Sequence, residues 1–286
     1  MNLSDYRYNS EKSFKLSKID PDNTGKYKSK ESALEKLKSN IEKMTVLQDM
    51  LYAQNDYSLL IIIQAMDTAG KDGVIKHVMS GLNPQGTQVF SFKKPSPEEL
   101  DHDYLWRTNK CLPERGRIGI FNRSYYEEVL VAKVHNLVSG QSIPKNLVGK
   151  DIWKNRYSQI RNFEKYLYQN GIIPIKFFLH ISKDEQKKRL LERIDDKSKN
   201  WKFSDADVKE RAYWDDYQNC YEDAIINTGT KYAPWYIIPS NQKWFSRLVV
   251  STVIQDTLKK LNLKYPDVGE EQLKMLEESK KILLNE

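Results

Sequence analysis

Ile61-Ile62-Ile63-Gln64-Ala65-Met66-Asp67-Thr68-Ala69-Gly70-Lys71-Asp72-Gly73 decides how the rest of the chain is read. The apolar run from Tyr57 to Gln64 does not alternate, so it predicts a strand with no wet face, as in the centre of a parallel sheet. Directly after it, Gly70 and Lys71 match the end of G-x-x-x-x-G-K-[ST]. In that pattern backbone N–H groups cradle phosphate, the lysine adds charge and the hydroxyl ligates Mg²⁺. Three positions depart from it: Ala65 stands at the first glycine, Asp72 replaces the hydroxyl residue, and Asp67 adds a carboxylate inside the loop. A helix from Val74 to Ser80 would bring N–H donors and the positive dipole end to one point. An anion is therefore expected against Ala69, Gly70, Lys71, Asp72 and Gly73, with Lys76 one turn on; the plainer reading is a tight strand-to-helix turn.

Working outward, Leu34, Leu37, Ile41, Met44, Leu47 and Leu51 recur at helical spacing and predict an amphipathic helix over 30–55. Further strands are expected at 88–92, 117–121, 175–181 and 235–239. Helices are expected at 97–111, 124–135, 151–169 and 244–261. Strands alternating with helices imply an α/β fold with a parallel, doubly wound sheet. The expected organisation is a polar arm over 1–29, one α/β domain over 30–265 and a C-terminal helix over 266–286. A charged helical insertion at about 182–232 follows the fourth strand, where it would cover the ligand crevice as a lid; the alternative is a solvated hairpin with a snorkelling basic face.

The 39% hydrophobic share of 286 residues is enough for a packed core and excludes global disorder. A net charge of +7 favours an anionic partner or reflects ordinary lysine-rich solubility. Cys111 and Cys220 have neither C-x-x-C spacing nor an adjacent histidine, so no disulfide framework or zinc site is suggested. The start, Met1-Asn2-Leu3-Ser4-Asp5, lacks a signal-peptide core. Leu59–Ile63 is far short of the roughly 20 residues of a membrane span. A cytoplasmic protein without membrane association is expected.

Asp67 is the sharper clue, because a carboxylate among phosphate-directed donors needs a cation or a proton in transit. It fits Mg²⁺ ligation or the orientation and deprotonation of a phosphate nucleophile; an Asx turn would also explain it. A second constellation is Arg117-Ile-Gly-Ile-Phe-Asn-Arg-Ser-Tyr-Tyr-Glu-Glu128. Asn122 stands where an aspartate commonly positions Mg²⁺, and the missing charge can come from Asp67 and from Glu127 or Glu128 a turn further on. Arg123 is placed to grip a phosphoryl group. Arg115 and Arg117 read as surface charge or as liners of an anion groove. In the insertion, Arg189 and Arg193 share a helix face and suit transition-state charge, or form surface ion pairs. Asp195, Lys197, Lys199 and Lys202 crowd the following turn beside Trp201 and Phe203. His77, His102, His135 and His180 show no metal-ligand spacing, and His180 reads as core.

With these segments in hand, the chain resembles the polyphosphate kinase 2 family. The resemblance rests on Met66–Gly73, His77–Gly86, Glu99–Trp106, Pro113–Glu128 and Asp196–Phe203, and covers about residues 30 to 262. It implies a P-loop kinase-like three-layer α/β/α fold and phosphoryl transfer between inorganic polyphosphate and a nucleotide with Mg²⁺, for which Mn²⁺ can substitute. It further implies that Asp67 and Lys71 act as a pair, that Arg123 binds phosphate and that Arg193 and its neighbours make lid contacts. Asn122 is similar to the subgroup accepting both nucleoside mono- and diphosphates. Catalysis is thus expected from Asp67, Lys71, Asn122, Arg123 and Glu128, phosphate contacts from the loop with Lys76, Arg117 and Arg123, and metal ligation from Asp67, Glu127 and Glu128. The expected partners are polyphosphate, adenine or guanine nucleotides and further copies of the chain as a dimer or tetramer, with no nucleic acid. The rivals are an ATP-dependent nucleoside monophosphate kinase and a non-catalytic polyanion-binding protein.

Overall fold

The computed structural model describes residues 1–10 and 13–286. The chain enters its sheet early through β1 (Arg7–Tyr8), then forms α1 (Lys30–Gln54) and the central strand β2 (Ser58–Ala65). It continues through α2 (Lys71–Val78), β3 (Thr87–Ser91), α3 (Pro97–Leu100), α4 (Trp106–Asn109), β4 (Ile118–Asn122) and α5 (Val131–Val134). Next come α6 (Ile152–Gln169), β5 (Ile172–His180), α7 (Lys183–Asp195), α8 (Asp205–Glu210) and α9 (Trp214–Thr228). The chain closes with β6 (Trp235–Pro239), α10 (Lys243–Lys260) and α11 (Glu270–Leu284).

The strands order as β1-β6-β5-β2-β4-β3, parallel throughout except for antiparallel β1. β2 is buried at every residue, because its two faces both meet helices. Leu59, Ile61 and Ile63 pack with Met44 and Leu51 of α1, Val78 of α2 and Val249 and Val253 of α10. Leu60 and Ile62 pack with Tyr126, with Ile160 of α6 and with Tyr221 and Ile225 of α9. The period of two along a strand thus divides the core between two helical layers. Ile63 pairs with both Asn122 and Phe177, and Ser91 pairs with Asn122. The register therefore gathers the C-terminal ends of β2, β3 and β4 at one rim.

Several expectations need correction. The polar arm is not detached: β1 pairs with β6, and Tyr8 and Leu16 are buried in the second core, which covers a sheet edge that would otherwise stand open. Residues 11 and 12 of that arm lie outside the described residues. The helix expected over 97–111 is two single turns, α3 and α4, interrupted at 101–105. The one expected over 124–135 is a 3-10 turn, Tyr125–Val129, that breaks at Leu130 (φ −110°, ψ −88°) before α5. Leu34 of α1 is exposed, and Asn40 and Gln48 take buried places on that helix. Much of the 182–232 insertion is core: α9 buries Trp214, Tyr217, Tyr221, Ala224 and Ile225. The stretch from Leu191 to Tyr213, which includes α8 and the 3-10 turns on either side of it, contains no buried residue. α11 also contains none.

Glu164 of α6 and Lys176 of β5 form an ion pair at 2.6 Å with both side chains 0% exposed. Lys176 Nζ also donates to Thr228 O at 2.8 Å and Tyr126 OH at 3.0 Å, and Tyr125 OH donates to Glu164 Oε1. Burial pushes the Glu164 carboxyl up and the Lys176 ammonium down. At the end of β5, His180 is buried, as its apolar strand suggested, and its Nε2 bonds Ile19 O. Burial lowers its pKa to about 4. The unfolded chain, with an imidazole near 6.5, binds more protons than the folded one between pH 6.5 and 4. Stability is then present above pH 6.5 and falls on acidification, by up to about 3 kcal/mol. His180→Phe is expected to flatten that slope in thermal melts taken from pH 7 to 4; an unchanged slope would assign the acid sensitivity elsewhere.

Candidate active site

The loop from Ala65 to Gly70 turns sharply between β2 and α2. Gly70 caps α2 with φ 105°, a left-handed conformation that favours glycine. Thr68, a β-branched residue, is held at φ 64°, and its buried hydroxyl has no partner among the described residues. Such a residue costs on the order of 1–3 kcal/mol and persists only where its surroundings over-determine it. Arg189 of α7 supplies the restraint. Its Nη1 donates to Thr68 O and Ala69 O at 3.1 and 3.0 Å, its Nη2 to Ser240 O and Asn241 O at 2.7 and 2.8 Å, and its Nε to Glu185 at 2.8 Å. These bonds engage all five guanidinium donors. The expectation that Arg189 meets a transferring phosphoryl group is corrected: it is a positioning residue that fixes the loop.

Lys71 Nζ donates to Ala65 O at 2.9 Å, and burial lowers its pKa. Asp67 Oδ1 accepts from Arg123 Nη2 at 3.0 Å, and Arg123 Nη1 lies 3.8 Å from Glu127. Burial alone would lower the Arg123 guanidinium, but Glu127 and Asp67 outweigh it and hold its pKa up. Burial raises the Glu127 carboxyl against the pull of Arg123 and Lys71. Asn122 Nδ2 donates to Asp72 Oδ1 at 2.9 Å, which ties the end of β4 to the first turn of α2. The structure therefore brings Asp67, Lys71, Asp72, Asn122, Arg123 and Glu127 together.

Glu128 is not among them. On a 3-10 turn adjacent side chains diverge by about a third of a turn. Glu128 is buried against Arg156, with Oε2 at 2.9 Å from Nη1 and 2.7 Å from Gln141 Nε2. The three-carboxylate metal set of Asp67, Glu127 and Glu128 is therefore not assembled, and no cluster of three His, Cys, Asp or Glu suited to a metal occurs among the described residues. Arg117 is also displaced. Its carbonyl accepts from Leu59 N at the start of β2, on the order of 20 Å from the loop by strand rise. Its side chain pairs with Glu114 at 2.9 Å, bonds Gln85 O and lies over Tyr52. Arg115 donates to Asp56 O at that same far end. Lys76, Asp195 and Lys197 are exposed and do not line the cleft described next.

Above the loop opens a cleft of about 730 Å³. Nine basic side chains line it against four carboxylates, Asp67, Asp72, Glu192 and Asp207. Arg193, Lys199 and Lys202 line it as expected; Arg193 pairs with Asp207 at 3.1 Å and Lys199 with Asp196 at 2.6 Å. Burial, then Asp67, raises the Asp207 carboxyl. The reading of the sequence missed Lys93, Lys94, Lys243, Trp201 and Asp207 as cleft residues. Lys93 and Lys94 follow β3, so their signal was position: ligands of parallel sheets gather beyond the carboxyl ends of the strands.

The sequence model of the polyphosphate kinase 2 family matches residues 26–266. The chain is 52% identical over 269 residues to an ADP-polyphosphate phosphotransferase of Rhodopseudomonas palustris, spanning 93% of this chain and 92% of that protein. It is 44% identical over 265 residues to an AMP/ADP-polyphosphate phosphotransferase of Meiothermus ruber, spanning 92% and 96%. The crystal structure of polyphosphate kinase 2 from Arthrobacter aurescens TC1 superposes with a TM-score of 0.85 at 40% identity, covering 95% of each chain.

Proposed function

The chain belongs to the polyphosphate kinase 2 family, and from that premise we propose how it moves a phosphoryl group between inorganic polyphosphate and AMP or ADP. The enzyme is a polyphosphate-dependent nucleotide kinase, and an ATP-dependent monophosphate kinase is not favoured. The observation that carries the mechanism is the Asp67–Arg123 pair at the rim of the sheet beneath a predominantly basic cleft. A phosphoanhydride chain is a polyanion, and clustered cations of one sign raise its local concentration. Phosphoryl transfer asks mainly for positioning and charge neutralisation.

In the forward direction a nucleotide phosphate oxygen attacks the terminal phosphorus of the chain. The P–O–P bond to the next phosphate breaks, and polyphosphate leaves one unit shorter. Lys71 and Arg123 meet the charge on the moving group, and Asp67 holds Arg123 in line. Two carboxylates beside the loop, Asp67 and Glu127, suit Mg²⁺, which takes one or two carboxylates and completes its shell with substrate phosphates and water. Asp67 and Glu127 would hold the ion, which when bound would neutralise charge on the substrate phosphates. The 196–213 segment, with Lys199, Trp201 and Lys202 over the cleft, would close as a lid to exclude water. Acceptance of both mono- and diphosphates, of adenine and of guanine, is part of the proposal, and similarity to the Meiothermus ruber protein supports the AMP/ADP breadth. So are a cytoplasmic location and a homo-oligomer, the latter supported by the exposed Leu273, Leu276 and Leu283 of α11. No helix among the described residues is long and apolar enough to cross a membrane.

The test is incubation with Mg²⁺, long-chain polyphosphate and AMP or ADP, with ATP followed by chromatography. ATP is expected from both acceptors. Turnover with ATP as donor but none with polyphosphate would overturn the assignment.

A further inference from the structure

Three consecutive carbonyls of the loop after β2 accept from α7. Arg189 holds Thr68 O and Ala69 O, and Gln186 Nε2 donates to Asp67 O at 3.1 Å. Gln186 and Arg189 stand three residues apart and share a helix face. Both are buried, at 2% and 3% exposure, but they are anchored differently. Arg189 spends its remaining donors on Glu185 and on the turn after β6, which is scaffold. Gln186 Oε1 instead accepts from Arg211 Nη1 at 2.7 Å, and Arg211 belongs to the stretch over the cleft that contains no buried residue.

Two bonds in series therefore run from the cover of the cleft to the backbone of Asp67. A guanidinium only donates and a carbonyl oxygen only accepts, so the group between them must accept on one side and donate on the other. An amide does both; a carboxylate or an ammonium does not. The 211 end is itself tied down by polar contacts. Arg211 Nη1 also donates to Lys183 O at 3.1 Å, and the neighbouring Glu210 accepts from His135 Nε2 at 2.9 Å and Tyr217 OH at 2.7 Å. One turn earlier on α8, Asp207 pairs with Arg193 and lines the cleft. A segment held this way, with few buried apolar contacts, is of the kind that opens locally.

We propose, on the functional reading above, that Arg211 and Gln186 are positioning residues that make the placement of Asp67 depend on the seating of the 196–213 segment. With Arg211 in place, the Gln186 amide is held at Asp67 O and the Asp67 carboxylate is presented to Arg123. When Arg211 withdraws, Gln186 Oε1 is left buried without its donor, a costly state, and the amide turns away from the loop. Asp67 is then set for transfer only while the cleft is covered, which favours transfer over hydrolysis.

Arg211→Met removes the guanidinium at a half-buried site, and Gln186→Met removes the amide at similar volume; melting curves check that each folds. Hydrogen exchange read by mass spectrometry on the full chain is expected to show the amides of 65–70 exchanging roughly fivefold faster in each variant, with β5 unchanged. The kcat for ATP formation from ADP and polyphosphate should fall roughly tenfold or more, with both KM values within about threefold, since neither side chain lines the cleft. The double variant should be no slower than the slower single one, as expected of two residues in one chain of contacts. Arg211→Lys, which keeps a donor, should recover part of the loss. Loop exchange in Arg211→Met equal to the parent's, or losses that multiply in the double variant, would overturn the inference. If the parent forms no ATP from polyphosphate, the functional reading falls, and the loop exchange, which needs no substrate, still decides the coupling.

Discussion

Asp67→Asn is expected to lower phosphoryl transfer about 10³-fold, roughly 4 kcal/mol of barrier, while the protein still folds. Asparagine keeps the shape of the side chain but removes the charge that holds Arg123 at 3.0 Å and that would draw a divalent ion. Both losses fall on the step in which charge moves, so the effect belongs in kcat. The pair is partly exposed, with side chains 41% and 28% accessible, and exposed pairs add little to stability. Steady-state kinetics with ADP and polyphosphate, set beside a denaturant melt, read both quantities. Activity within tenfold of the parent would remove Asp67 from the chemistry.

Lys176→Met is expected to have the largest effect on stability, about 3–5 kcal/mol, because it leaves the Glu164 carboxylate buried without its cation. Glu164 lies 2.6 Å from Lys176 Nζ and is otherwise bonded by the hydroxyls of Tyr125 and Tyr126. The network joins α6, β5, α9 and the Tyr125–Val129 turn, so its loss is felt in the whole second core. The melting temperature should fall on the order of 10 °C. Exchanging both partners, as Lys176→Met with Glu164→Leu, should recover part of that loss, since an apolar pair carries no desolvation cost. A single variant as stable as the parent would show that the pair is dispensable.

What could be read from the sequence followed what is local. The run Leu59–Ile63 and the Gly70-Lys71 turn needed only neighbouring residues, and the strand, loop and helix appeared where they were expected. Asn122 was placed correctly because a parallel register sets the end of β4 beside the end of β2. The failures needed geometry the sequence does not carry. Glu127 and Glu128 are chemically identical neighbours, and only the 3-10 turn sends one to Arg123 and the other to Arg156. Arg189 and Arg193 shared a helix face and both reach the cleft, yet one is buried with its donors spent on backbone carbonyls and Glu185 while the other pairs with Asp207. The charged insertion was read as a lid, but Trp214, Tyr217 and Tyr221 anchor α9 in the second core. A two-residue strand such as β1 has no periodicity to detect.

The five bonds of Arg189 also mark where this chain can be cut and rejoined. Four of them staple the loop after β2 to the turn after β6, so the first two turns of α7 belong to the scaffold. A chimera that imports a relative's 182–232 segment whole would import its own staple and distort the Thr68 turn wherever the two scaffolds differ. Grafts that begin after Arg193 and end before Trp214 exchange the cover of the cleft and leave its floor intact. For engineering acceptor or donor preference, that interval of about twenty residues is the portable unit.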